Sequence, residues 1–190
     1  VQEKYAQGAG YSVAKKLEVA IASLFSGFSN TVGSSTTDLA DSDIRAAIAI
    51  LEENNVDTTS DVAWFVSPAV FWKQIQKIDK FSLAVNSPVN DPTAKRPAAY
   101  LYGIPVFISN NIQYISGTTG RANALAHKDA IHFATASLPA QSPNAVIGKH
   151  GVRVQSNYVP EYLSTITTAD ILYGVIENRD TAGVYVKSPA

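Results

Sequence analysis

The sequence predicts an α+β fold, and three observations carry the prediction. An apolar stripe at helical spacing runs from Val13 to Phe28, and a second runs from Ile44 to Leu51. Stretches of alternating or β-favouring residues occupy 62–66, 104–108, 152–158 and 184–187. At 190 residues the chain fits one domain, or one elongated subunit of two lobes sharing a sheet.

In the first stripe, Val13, Leu17, Ile21, Leu24 and Phe28 share one face, while Lys15, Lys16 and Glu18 take the other. This predicts a helix of about four to five turns, capped by Ser12 and ended by Gly27, Ser29 and Asn30. Ala14, Ala20 and Ala22 favour helix and allow close approach. Residues 26–37 are rich in Ser, Thr, Gly and Asn and read as a loop. Asp38, Asp41 and Asp43 lack the glutamate and glycine of a calcium loop, so they are read as carboxylates at a helix start. Ile44, Ala47, Ile48 and Leu51 form that helix, and Asn54 and Asn55 stop it. Residues 62–66 predict a strand; Ser67-Pro68 then gives a cap followed by proline at the first helical position, where its missing N–H costs nothing. Phe71, Ile75 and Ile78 mark the inner face of the next helix with Trp72 beside it, and Lys73, Gln74, Lys77 and Lys80 lie outside.

Between 81 and 99, Pro88, Pro92 and Pro97 exclude a long helix or an inner strand and predict a loop. The strand at 104–108 is apolar on both faces, which predicts cover on both sides. Gly103 and Pro105 place its entry beside a turn or at an edge, and Asn110 and Asn111 close it. Residues 116–121 are rich in glycine and hydroxyls but lack the lysine-hydroxyl ending of a phosphate loop, so they predict a hairpin loop. From 123 to 136, two apolar runs flank His127-Lys128-Asp129 and predict a strand, a turn, and a second strand or short helix. Val152, Val154, Ser156 and Tyr158 alternate with Arg153, Gln155 and Asn157 as in a half-buried strand. After Pro160, Tyr162, Leu163, Ile166, Ala169 and Tyr173 have helical spacing, while the intervening threonines favour strand. The chain closes with 175–179, a turn at 180–183 and a last strand at 184–187.

Fifteen basic against sixteen acidic residues leave a net charge of -1, so no global field draws the chain to nucleic acid or to an anionic membrane. With no cysteine, disulfides and thiolate chemistry are excluded. No apolar run approaches the roughly 20 residues that span a bilayer, and no membrane partner is expected. Methionine is absent, even at position 1, so the chain is expected to be a processed product or a fragment. Serine, histidine and aspartate all occur, yet no Gly-x-Ser-x-Gly elbow marks a nucleophile. His127, His132 and His150 lack the spacing of a zinc helix and are read as packing or surface residues. No catalytic residue, cofactor or metal is expected. A sugar- or partner-binding module would use Trp64, Trp72 and the tyrosines, but those aromatics fall mostly at inward positions of the predicted elements.

Four strings resemble signatures of tailed-bacteriophage major capsid proteins: Phe65-Val66-Ser67-Pro68 through Phe71, the run from Leu101 to Asn111, Ala126-His127-Lys128-Asp129-Ala130-Ile131, and Asp170-Ile171-Leu172-Tyr173-Gly174 followed by Arg179. The resemblance implies the capsid fold, with a spine helix, a peripheral lobe carrying that helix and long strands, and an axial lobe pointing toward five- and six-fold centres. Placed on this sequence, 1–36 and 151–190 would build the peripheral lobe and 37–150 the axial lobe. The N-terminal arm and extended two-stranded loop that normally precede the spine helix in this family are absent from this sequence.

The resemblance further implies a structural protein with no enzymatic activity, whose copies assemble as pentamers and hexamers into an icosahedral shell around double-stranded DNA. Portal, scaffold or decoration proteins would be further partners, and the DNA would be held without sequence specificity. The location implied is the virion capsid, assembled in the cytoplasm of a bacterial host. Encapsulin shells share the fold and give the nearest alternative, a compartment holding a protein cargo; a small hydrolase is a more distant one. The candidate inter-subunit contacts are loop residues: Pro88, Asn90, Asp91 and Lys95 in one loop, Thr118 and Arg121 in the other.

Overall fold

The computed structural model describes residues 2–78, 100–136, 138–139, 145–147 and 151–190. They form two compact units, one of Val1–Ala20 with Phe133–Ile176 and one of Ile21–His132 with Glu177–Ala190.

Helix α1 spans Gln2–Ser23 and begins well before the predicted start at Tyr11. Gly8 and Gly10 suggest a boundary in sequence, at a cost of about 1 kcal/mol each, but the surrounding Gln, Glu, Lys and Ala residues are strong helix formers. Ser12 is therefore no cap. Its hydroxyl donates to the Gly8 carbonyl one turn back (2.9 Å). The helix ends at Ser23 and tightens into a 3-10 turn, Phe25–Gly27, so that Phe28 leaves the predicted stripe and enters the core of the second unit.

The second unit is built on a seven-stranded mixed sheet of described residues. Its strands are β1 (Thr31–Gly33), β2 (Val62–Val66), β3 (Tyr100–Leu101), β4 (Ile104–Ile108), β5 (Tyr114–Ser116), β6 (Thr119–His127) and, numbered in chain order, β12 (Gly183–Ser188). The order is β1-β12-β6-β2-β4-β3, with β5 also paired to β6. β12 runs antiparallel to β6 and parallel to β1, and β2 runs parallel to β4. β1 went unseen in sequence because three residues, of which Val32 alone is buried, leave no period to read.

Val62, Trp64, Val66, Leu125, Val184 and Val186 alternate onto one sheet face and are buried with Ile44, Ala47 and Leu51 of α2 (Asp41–Glu53) and Val70 and Phe71 of α3 (Pro68–Lys73). Both helix starts are as expected: the Asp43 carboxylate accepts the Ala40 N–H (3.0 Å), and the Ser67 hydroxyl accepts the Val70 N–H (3.4 Å). Gln74, expected outside, is buried. Gln74 follows Val70 by four residues and Phe71 by three, so helical winding sets it on their buried face, where it accepts the Leu39 N–H (3.1 Å) and donates to the Pro189 carbonyl (3.1 Å). Trp72, the companion of that inner face, is instead exposed.

The opposite face is lined by Ala122, Ala124, Ala126 and Gly183, whose small size leaves room for Phe25 and Phe28. A side-chain carbon at Gly183 would sit 2.5 Å from the Phe28 ring. Among the buried side chains is also Asn123 on β6. Its Oδ1 accepts the Ser67 N–H (2.9 Å) and its Nδ2 donates to the Ser188 hydroxyl (2.8 Å) and the Val186 carbonyl (3.3 Å), joining three strands' ends. Asn123→Ala should cost about 1–3 kcal/mol, because it strands the buried Ser67 N–H. A lowered urea midpoint with unchanged slope is the expected reading.

The first unit contains β8 (Val146–Ile147), β9 (Arg153–Val159) and β10 (Ser164–Asp170) in the order β10-β9-β8, and β7 (Ile131–Ala136) paired with β11 (Leu172–Glu177). The helical spacing after Pro160 is overturned. A 3-10 turn, Pro160–Tyr162, leads directly into β10, which pairs along its full length with β9. Thr165, Thr167 and Thr168 are β-branched, and a ladder satisfies their backbone without the rotamer loss that a helix imposes. Because β12 lies inside the large sheet, 177–190 group with 21–132, a division different from the expected one at 36/37 and 150/151.

Candidate functional site

Among its described residues the first unit has no buried apolar side chain; the buried ones there are Gly151 and Arg153. Ordering a residue costs about 1–2 kcal/mol of backbone entropy, and the described residues of this unit bury little apolar surface to offset it. The bare region is most pronounced at the β9–β10 hairpin, where every residue from 160 to 168 is exposed.

Ladder register decides which side chains share a face. Tyr158 stands opposite Thr165, and Ile166 opposite Asn157, so apolar groups project on both sides of the tip. Tyr162 and Leu163 sit in the connection, 71% and 82% exposed. Pro160 opens it with its fixed φ, and Leu163 closes it at φ 49°, a left-handed conformation that strains a leucine. The chain holds a large apolar side chain in water where glycine would be comfortable.

At the other end the hairpin is clamped. The Arg153 guanidinium is a bidentate donor to the Asp170 carboxylate, through Nε to Oδ1 (2.9 Å) and Nη2 to Oδ2, and its Nη1 donates to the Pro139 carbonyl (2.6 Å). The hydrogen bonds from Arg153, reinforced by its charge, hold the Asp170 pKa below its ordinary 3.8, while partial burial opposes the shift. A lowered carboxylate pKa stabilises the fold above the ordinary value and ceases to do so as pH falls through the folded one. The β9–β10 amides should therefore keep their exchange protection down to about pH 4 and lose it below. In Asp170→Asn that acid step should be missing, which amide exchange followed by NMR would show.

Of the sequence-predicted contacts, Thr118 is exposed at the tip of the β5–β6 hairpin. Arg121 is turned back on its own chain: Nη1 donates to the Ile112 carbonyl (2.9 Å), Nη2 to the Tyr114 hydroxyl (2.7 Å), and the guanidinium carbon lies 3.6 Å from the Tyr114 ring centre. Pro88, Asn90, Asp91 and Lys95 lie outside the described residues. Sequence reasoning missed the Tyr158, Tyr162, Leu163 and Ile166 tip, placing part of it on a helix; the threonine run was the signal for strand.

The histidines take modest roles. His127 Nδ1 accepts the Asp129 N–H (3.3 Å), and Lys128 meets Asp61 (2.5 Å), so the three residues close the β6–β7 turn. His132 is exposed, and His150 is outside the described residues. Among the described residues, no three His, Asp or Glu side chains gather as a metal site, and no helix is long and apolar enough to cross a membrane. The expectation that the aromatics point inward holds for Trp64 and Tyr185 but not for Trp72, Tyr11, Tyr100, Tyr102, Tyr114, Tyr158 or Tyr162, which are exposed.

No family model and no curated protein matches the sequence. Solved structures do match the fold. A chain from Mycobacterium phage Che8 superimposes with a TM-score of 0.73 over 98% of this chain and 63% of its own, at 18% identity. The capsid structure of cyanophage P-SCSP1u gives 0.68 over 99% of this chain and 66% of its own, at 11% identity. The SrpI encapsulin of Synechococcus elongatus gives 0.56 over 83% and 52%, also at 11% identity. This chain thus spans less than two thirds of the length of the phage chains. At such identities the likeness is one of fold: the chain has the α+β fold that these phage capsid and encapsulin structures share, the fold its sequence resemblance implied.

Proposed function

We propose that this chain is a major capsid protein, a structural and non-enzymatic subunit whose copies assemble as pentamers and hexamers into an icosahedral shell around double-stranded DNA. The observation that carries the reading is the first unit's lack of a buried apolar side chain among the described residues, joined to a hairpin tip that presents Tyr158, Tyr162, Leu163 and Ile166 to water. Isolated, such a unit exposes surface that soluble monomers normally cover; in a shell, neighbouring copies bury it. Each contact is modest, and many made at once give a durable particle.

The peripheral lobe of this reading is the unit that carries most of α1 and the strands of 153–176, and the axial lobe is the unit with the large sheet. Thr118 and the loop residues Pro88, Asn90, Asp91 and Lys95 are proposed as further contacts between copies, with Arg121 stiffening its hairpin from within. The location is the virion, after assembly in the cytoplasm of a bacterial host. Portal, scaffold or decoration proteins would be accessory partners, and DNA would lie against the inner face without sequence-specific contacts. The likeness to an encapsulin supports a second reading, a compartment around a protein cargo.

Electron microscopy and sedimentation of the full-length protein test the proposal. Closed shells containing DNA are expected, shells filled with protein would favour the second reading, and a persistent monomer would refute both.

A further inference from the structure

One face of the large sheet is roofed over only part of its width. Phe28 packs on Gly183 of β12, and Phe25 packs on Phe65 of β2 with ring centres 5.5 Å apart. Among the described residues that roof ends at Phe65. Phe65 pairs with Phe107 in the β2–β4 register, and their rings are stacked at 5.8 Å with 21° between planes. Pro105, two residues before Phe107 on the same face, pairs with Tyr100 on β3. An aromatic row therefore begins deep in the core at Phe28 and runs out into water, with Phe107 and Tyr100 more than half exposed. The sequence had predicted cover on both faces of this strand.

We infer that the open half of this face, centred on Phe107 and Tyr100, is a contact surface for a second copy of this chain. The inference rests on the shell reading above and adds a specific surface to it. Chemistry narrows the occupant. A strand of nucleic acid would need a cationic track beside the stacking rings, but among the described residues this half-face carries Phe65, Phe107, Pro105 and Tyr100, and Lys187 on the same face lies over Tyr185, three strands from β4. A sugar would need several converging polar groups, and the Tyr100 hydroxyl is the one side-chain polar group among those four residues.

Area narrows it further. A buried Phe or Tyr side chain covers roughly 150–250 Å², so the bare parts of Phe107 and Tyr100 come to roughly 200 Å², against about 800 Å² per partner in a stable free-standing interface. The patch is too small to hold an isolated dimer. It suits a contact made once per copy inside an assembly held at several places, with Phe107 fixed in advance by its stack on Phe65.

The test uses the full-length protein assembled from a mixture of ordinary and nitrogen-15-labelled copies, with p-benzoylphenylalanine in place of Phe107. Irradiation of shells should give crosslinked peptides of mixed isotope, from two different copies. Crosslinks confined to one copy, or made to DNA or to another protein, would overturn the inference while leaving the shell reading intact. In parallel, Phe107→Ser with Tyr100→Ser should lower the thermal melt of the unassembled subunit only modestly, through loss of the Phe65 stack, and lower shell yield at least about tenfold. Undiminished yield would overturn the inference, and failure of the unaltered protein to form any shell would overturn both.

Discussion

Leu163→Gly combined with Tyr162→Ser should abolish shells while leaving the subunit folded and at least as stable as before. The two effects have separate physical causes. Leu163 sits at φ 49°, where a side chain costs on the order of 1–3 kcal/mol in strain that glycine avoids, enough to offset glycine's greater entropy loss of roughly 0.5–1 kcal/mol. Neither side chain is packed within the chain, so removing them opens no cavity. What disappears is the apolar surface offered to neighbours, and because every copy carries the same tip, the loss recurs at each contact around the shell. The expected record is an unchanged or slightly raised melting temperature in the unassembled protein, together with sedimentation as small species only. Normal particles from this variant would show that the tip is no contact. A drop in melting temperature would instead show that the tip packs within its own subunit.

Trp64→Ala should have the largest effect on the subunit itself, about 3–5 kcal/mol, a large fraction of the total stability of an ordinary domain. Trp64 is fully buried at the centre of the large sheet, paired across to Val106 and Leu125. Its loss would leave a hole that rigid neighbouring strands cannot close. Trp64→Phe should cost far less. It retains most of the ring, and the buried indole N–H that it removes has no hydrogen-bond partner among the described residues. Far-UV circular dichroism during urea unfolding compares the three proteins without relying on tryptophan emission.

What could be read from sequence follows from which forces act locally. The strands at 62–66 and 104–108, the cap at Ser67-Pro68 and the helix ended by Asn54 were legible because hydrophobic period and capping chemistry lie within a few neighbouring residues. Asn55 even adopts the left-handed turn that its type tolerates. The segment after Pro160 was ambiguous because Tyr162, Leu163 and Ile166 are not a core stripe; they are exposed, so their spacing carried no information about burial. Gln74 was misplaced because its polar type outweighed its position, four residues after Val70 and three after Phe71, on their buried face. As for the candidate site, composition pointed to loops and hairpins; Arg121 is occupied at home, and of the exposed tip residues Tyr158 was read on a strand, while Tyr162, Leu163 and Ile166 fell at helical spacing among strand-favouring threonines. Exposure of an apolar residue is a property of the whole fold, and no local pattern announces it.

The place of β12 bears on how the protein is made. Among the described strands β1 joins the large sheet through β12 alone, and Asn30 reaches the Gly183 carbonyl across 153 residues of chain. Until the ribosome has produced residue 188, the edges of β1 and β6 that will receive that strand stand open, and loop-closure entropy makes so distant a pairing slow. Nascent chains of this protein thus pass through a stage with two unfilled edges, the stage at which chaperones or early neighbours would matter most.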